Sequence, residues 1–197
     1  MVYVYVTDIS TLPEPLENAQ VMEGLPIERQ KKILNTKQKQ KRLQSLGAGL
    51  LLNDVLHRHG ISAGTLKTDE NGKPTVDGLC FNLSHSGNYV VCAVNDRPVG
   101  CDIERIKEAP KQVEKRAFSP EERAYLKQLS GDAYNREFFR IWTKKESYLK
   151  MKGFGIRVPL QTLEITECYF KEYDIHGYQV TVCAEECEFA EIIWKKI

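Results

Sequence analysis

Residues 81–106 read FNLSHSGNYVVCAVNDRPVGCDIERI. Two apolar runs, Tyr89–Val94 and Val99–Ile103, flank Asn95-Asp96-Arg97-Pro98, and together they predict a hairpin with a four-residue loop. The first run is apolar on both faces, so the hairpin is expected to be buried. In the second run, residues two apart face the same way. Asp102 and Glu104 therefore share one side, and Cys101 and Ile103 the other. Pairing Val94 with Val99 sets Tyr89 opposite Glu104 and brings Ser84–Gly87 to the end of the hairpin that carries the carboxylates.

An isolated Asp-x-Glu is usually the wet face of an edge strand, but the apolar partner run argues for burial here. Two buried carboxylates side by side repel unless a cation lies between them. Oxygen ligands without a nearby His or Cys suit magnesium, or manganese, and magnesium keeps positions for water and phosphate. In FNLSHSG, the side chains of Ser84, His85 and Ser86 and the backbone offer donors, and Gly87 permits a tight turn, which makes this loop an anion-binding candidate. A third carboxylate comes from residues 141–155, IWTKKESYLKMKGFG. Read as a helix, this stretch carries Trp142, Glu146 and Lys150 in successive turns, and Glu146 joins the other two if the helix crosses the end of the hairpin.

The chain has 197 residues, 42% of them hydrophobic and 28% charged, enough for one large domain or two small ones. Its net charge of +1 argues against a broad nucleic-acid-binding face, so any anion site is a local cluster. The N-terminal VYVYV predicts a strand, and it lacks the basic leader and cleavage site of a signal peptide. No apolar run reaches the ~18 residues of a membrane span, and a cytoplasmic protein without a membrane partner is expected. The six cysteines form no Cys-x-x-Cys pair, and several sit among Val and Ala as small apolar residues. A helix over IERQKKILN and a longer one from about Thr36 to His59 are expected, the latter stopped by Gly60. Gly47 and Gly49 within it imply a close neighbour. KEAPKQ (107–112) reads as a linker. Ser119, Pro120 and Glu122 open a further helix with a capping box. Strands are expected at roughly 162–171, 178–184 and 188–194. GNYVVCAV in the first half echoes GYQVTVCA in the second, each downstream of two helical segments, which suggests two similar halves.

GKP (72–74), FNLSHSG (81–87), VGCDIE (99–104), FSPEE (118–122) and WTKKESYLKMKGFG (142–155) follow a known order and approximate spacing. Over most of its length the chain resembles the 4'-phosphopantetheinyl transferases of the surfactin-synthetase-activating class. The specific feature is Gly-x-Asp-x-Glu joined downstream to Trp-x-x-Lys-Glu-Ser-x-x-Lys. Cys101 departs from the usual Ile or Val.

The resemblance implies a mixed α+β fold, in which two similar halves, residues 1–106 and 107–197, form an intramolecular pseudo-dimer within a monomer. It implies transfer of the phosphopantetheine arm of coenzyme A to a serine hydroxyl of an acyl or peptidyl carrier protein, with release of adenosine 3',5'-bisphosphate. The carrier would serve fatty-acid, polyketide or peptide synthesis. Asp102, Glu104 and Glu146 would hold magnesium. Glu146 would also take the serine proton, directly or through water, and Lys150 would meet the phosphate on the leaving side. Ser84 and His85 would grip coenzyme A phosphates. Lys73 and Arg42 would meet the 3'-phosphate, with Arg29, Lys31 and Lys32 as further basic residues. Trp142 is expected to orient its helix by core packing, and Lys144 and Lys145 to face solvent or the carrier. Two other readings stay open: a magnesium-dependent hydrolase of a nucleotide diphosphate, which needs no carrier, and a coenzyme A-binding module whose carboxylates hold a structural ion.

Overall fold

The computed structural model describes residues 1–69, 73–154 and 158–197. VYVYVTD forms β1 (Val2–Asp8), and its alternation sorts the two faces: Val2, Val4 and Val6 enter one core and Tyr5 another. Two helices follow, α1 (Ile27–Leu34) and α2 (Lys39–Arg58). Gly60, with φ of +71°, stands just beyond α2, where the stop was expected. The helix glycines mark close approaches. A Cβ on Gly47 would lie 2.3 Å from the Ile9 side chain, and one on Gly49 3.2 Å from Leu25. A short ribbon of β2 (Lys67–Thr68) and β3 (Pro74–Thr75) leads to β4 (Cys80–Ser86), β5 (Tyr89–Asn95) and β6 (Val99–Arg105). Then come α3 (Lys111–Ala117), α4 (Pro120–Leu126), α5 (Gly131–Lys152), β7 (Tyr169–Ile175), β8 (Tyr178–Ala184) and β9 (Phe189–Lys195). The capping box of α4 is formed: the Ser119 hydroxyl accepts from the Glu122 N–H, and the Glu122 carboxylate accepts from the Ser119 N–H. Among the described residues, no helix is long and apolar enough to cross a membrane.

The α+β class is as expected, but the predicted hairpin does not form. β5 pairs antiparallel with β1 on one side and β4 on the other, so neither of its edges is open to β6. The Asn95–Pro98 link instead carries the chain into a second sheet, where β6 pairs antiparallel with β8. Tyr89 lies opposite Asp8 and Ser86, and Glu104 opposite Gln179. Ser84–Ser86 belong to β4 rather than to a loop, and Gly87 (φ +50°) makes the turn. The strand expected from about residue 162 begins at Tyr169, with a single 3-10 turn at Leu160–Thr162 before it.

The first sheet has the order β4-β5-β1-β9, with β9 parallel to β1, and the second the order β6-β8-β7. Their inner faces meet over Val4, Val6, Val91 and Ala93 on one side and Ile103, Val180 and Val182 on the other. Leu51, Leu52, Val55 and Leu56 of α2 cover the outer face of the first sheet against Val90, Cys92 and Val94. α5 covers the second sheet, with Tyr148 and Met151 against Cys183. The order is therefore helix, sheet, sheet, helix, and β5 is apolar on both faces because both are covered. β5 and β8, which carry the echoing sequences, are each the middle strand of an antiparallel triplet (β4-β5-β1 and β7-β8-β6), and each is entered through a glycine of positive φ, Gly87 or Gly177. β6, left with the first half by a division at residue 106, is hydrogen-bonded in the second sheet.

Candidate active site

The glycine of VGCDIE is where α5 meets β6. A Cβ on Gly100 would stand 1.9 Å from the Ser147 carbonyl oxygen and 2.5 Å from the Met151 nitrogen, so only a residue without one lets helix and strand backbones touch. That contact brings Glu146 and Lys150, one residue before Ser147 and three after it, to the carboxylate-bearing part of β6. Asp102, Glu104, Glu146, Lys150, Ser84 and His85 line one cavity of about 390 Å³, with Trp142 in its wall.

Asp102 is 4% exposed. Its Oδ1 accepts from the Lys150 ammonium at 2.6 Å and the Ser84 hydroxyl at 2.8 Å. Its Oδ2 is buried without a hydrogen-bond partner among the described residues. Lys150 also donates to Ser84 Oγ at 3.1 Å and to the Cys101 carbonyl at 3.2 Å. Ser84 Oγ further accepts from the Ile103 N–H, so its hydroxyl is fully engaged. Glu104 accepts from the Ser86 hydroxyl at 2.8 Å, while Glu146 accepts no hydrogen bond among the described residues.

Burial raises the carboxyl pKa of both Glu104 and Glu146, and the charge of Asp102 adds to each shift. Burial opposes the charge on Lys150, but Asp102, Cys101 and Glu146 outweigh it and its pKa is raised. Three carboxylates thus face the Lys150 ammonium in one cavity, and one buried carboxylate oxygen has no partner among the described residues. This donor set fits a hard divalent cation. The carboxylates face one cavity without converging on a point, and among the described residues no three Asp, Glu, His or Cys side chains form a preformed cage. Magnesium held by few protein oxygens, with water and phosphate completing its shell, does not require one.

A second cavity of about 390 Å³ is lined by Arg29, Lys32, Lys41 and Lys73, with Ala48 and Phe81 as apolar wall. Leu83 and His85 of β4 line both cavities. Burial lowers the His85 pKa below its ordinary 6.5, and the Lys150 and Lys32 ammoniums act in the same direction, against a backbone hydrogen bond and the Asp102 charge.

Several expectations need correction. Arg42 does not reach this second cavity. It is 9% exposed, its Nε donates to the buried Glu14 carboxylate at 2.7 Å, and its Nη1 donates to the carbonyls of Thr36 and Lys37. A guanidinium held this way shapes the chain between α1 and α2. Lys31 pairs with Glu28 on an exposed face. Ser84 lines the carboxylate cavity, and its hydroxyl bonds Asp102, Ile103 and Lys150. Lys145 does not face solvent. It is 3% exposed, donates to the carbonyls of Ala117 and Leu160, and pairs with Glu122 at 2.6 Å. Lys144 lies 4.8 Å over the Phe170 ring. Trp142 packs with Phe118 and Phe138 and also walls the cavity. Gly72 and Gly155, part of the quoted motifs, lie outside the described residues. Sequence reasoning missed Lys41, and it missed Asn82 and Ser86 as partners of β6. Their signal was the alternation Asn82-x-Ser84-x-Ser86, three polar residues on one side of a strand otherwise rich in apolar neighbours.

Oxygen donors joined by one strand to a cation-lined cavity form a site suited to a ligand carrying several phosphates. Residues 98–190 match the 4'-phosphopantetheinyl transferase superfamily. The chain is 30% identical over 200 residues to the 4'-phosphopantetheinyl transferase Sfp of Bacillus subtilis, covering 90% of this chain and 89% of that protein. It is 36% identical over 171 residues to the 4'-phosphopantetheinyl transferase psf-1 of Bacillus pumilus, covering 72% of each. With HetI of Nostoc, another 4'-phosphopantetheinyl transferase, it shares 38% over 130 residues, 60% of this chain and 54% of HetI. The chain belongs to the 4'-phosphopantetheinyl transferase family and is an enzyme of that type.

Proposed function

We propose that the protein moves the 4'-phosphopantetheine arm of coenzyme A onto a serine of an acyl or peptidyl carrier protein and releases adenosine 3',5'-bisphosphate. The observation that carries this reading is the wall shared by the two cavities, Leu83 and His85 of β4. Coenzyme A has a 3'-phosphate on its nucleotide and a diphosphate beyond it. The cation-lined cavity suits the former, and the carboxylate cavity, with its hard-cation donor set, the latter.

Lys73, with Arg29, Lys32 and Lys41, binds the 3'-phosphate end. His85, in the shared wall, and Lys150, in the carboxylate cavity, face the phosphates. Ser84 holds Asp102 and Lys150 in place. Asp102, Glu104 and Glu146 would hold magnesium, or manganese, which when bound neutralises the diphosphate and stabilises its developing charge. Glu146, the carboxylate of the three without a hydrogen bond among the described residues, takes the proton of the carrier serine. The serine oxygen bonds to the pantetheine-side phosphorus as the diphosphate P–O bond breaks, and that electron pair leaves with the nucleotide. Lys150 offsets the leaving charge. A monomer is proposed, as the resemblance implies.

The test is to incubate purified protein with coenzyme A, magnesium and an unmodified carrier, and to weigh the carrier intact. A magnesium-dependent gain of one phosphopantetheine mass is expected, and it should vanish when the carrier serine is replaced. Turnover of coenzyme A without carrier would instead support a hydrolase, and binding without product a coenzyme A-binding module.

A further inference from the structure

β6 is hydrogen-bonded to β8 along one edge only, and the N–H groups of Cys101, Ile103 and Arg105 are taken from the other side by β4. In an ordinary sheet, carbonyls of the next strand would accept them. Here side chains do: Asn82 Oδ1 at 3.1 Å from the Cys101 nitrogen, Ser84 Oγ at 3.3 Å from that of Ile103, and Ser86 Oγ at 3.1 Å from that of Arg105. The three rungs fall at alternate positions on both strands and run in parallel sense. Each serine then passes its own proton to the carboxylate just before the residue whose N–H it accepts. Ser84 donates to Asp102, and Ser86 to Glu104 at 2.8 Å.

We propose that Ser86 is a positioning residue for the transfer reaction, fixing the Glu104 carboxylate to the backbone of β6 through this side-chain ladder. Asp102 has Lys150 as a second donor, whereas among the described residues Ser86 alone donates a hydrogen bond to Glu104. A hydroxyl that accepts from a main-chain N–H and donates to a carboxylate cannot turn, so the orientation of Glu104 follows the strand. This role rests on Glu104 acting as a metal ligand, and partners behind metal ligands change affinity by ~10- to 100-fold when removed.

The test compares Ser86→Val with Ser86→Thr, side chains of one shape that differ in a methyl and a hydroxyl. Three quantities are read: exchange of the Arg105 amide by NMR, Mn²⁺ affinity by electron paramagnetic resonance with coenzyme A present, and kcat and KM for coenzyme A with a carrier. In Ser86→Val the Arg105 amide should exchange faster, Mn²⁺ should bind ~10-fold or more weakly, and kcat should fall with KM for coenzyme A unchanged. Ser86→Thr should restore all three. A Val variant with wild-type Mn²⁺ affinity and kcat overturns the role, as does a loss that Thr does not repair. If Val does not fold, Ser86→Ala against Ser86→Thr decides the same question. A wild-type protein that binds no Mn²⁺ and modifies no carrier would sink the functional reading and the positioning role with it. A wild-type protein that does both, matched by Val, removes the positioning role alone.

Discussion

Glu146 stands in the cavity beside two hydrogen-bonded carboxylates yet accepts no hydrogen bond itself among the described residues, so its removal should touch chemistry more than stability. Glu146→Gln is expected to cut transfer by roughly 10²- to 10⁴-fold while the melting temperature barely moves; retained turnover would take Glu146 out of the essential set. Lys73 makes a separable prediction. Lys73→Ala should weaken coenzyme A by about 10-fold, the size of one charge-assisted hydrogen bond, and 3'-dephospho-coenzyme A far less, as calorimetry can show. Equal losses would reject a 3'-phosphate contact. The thiols offer a third. Cys92, Cys101 and Cys183 are buried, and burial pushes the Cys101 thiol up to about 12. Alkylation of the native protein at mildly alkaline pH should reach exposed Cys187 first and leave those three unmodified, as peptide mass spectrometry would report. That Asp102, Glu104, Glu146 and Lys150 gather at one cavity was legible from two motifs read together, Gly-x-Asp-x-Glu and Trp-x-x-Lys-Glu-Ser-x-x-Lys. Arg42 was not, because what decides its role is Glu14, 28 positions away in the chain.

Two contacts between elements hold the site together, and the sequence showed the residues of both without their purpose. Gly100 lets β6 touch α5. Gly100→Ala would drive a methyl into the Ser147 carbonyl and should cost about 3 kcal/mol or more, with transfer lost as Glu146 and Lys150 are pushed off β6. Urea unfolding and the carrier assay together would check it, and an Ala variant of normal stability would mean the helix can move at little cost. Lys145 ties α5 to the capping box of α4 through Glu122 and to two carbonyls. Removing a buried ammonium from such a set leaves its partners unpaired, so Lys145→Met should lose about 3 kcal/mol in the same unfolding experiment. The hairpin expectation failed at this scale for a definite reason. Adjacent apolar runs with a short link favour pairing, but β4, joined to β5 by the two-residue turn Gly87–Asn88, takes one edge of β5, and β1, remote in the chain, takes the other.

For the molecule as a whole, the Glu14–Arg42 pair predicts how stability follows pH. The Arg42 hydrogen bond holds the Glu14 carboxyl below its ordinary 4.5, against the opposing effect of burial. With the folded value below the unfolded one, the pair's contribution is fully present above pH 4.5 and is lost as pH falls through the folded value. Thermal melts across the acid range should therefore show Glu14→Gln less stable than wild type at neutral pH and less sensitive to acid; parallel curves would discard the idea. The α+β class came from the family resemblance, while the strand alternation of β1, both helices of the first half and the α4 cap were all legible in the order of residues. Each depends on side-chain period, capping or turn chemistry within a few positions of itself. Which strands pair, that β4 and β6 meet through hydroxyl and amide side chains, that Lys145 is buried and that Arg42 is captured were settled only by tertiary structure. These outcomes depend on which donors, acceptors and sheet edges remain open once distant segments have packed, and local spacing carries no record of that competition.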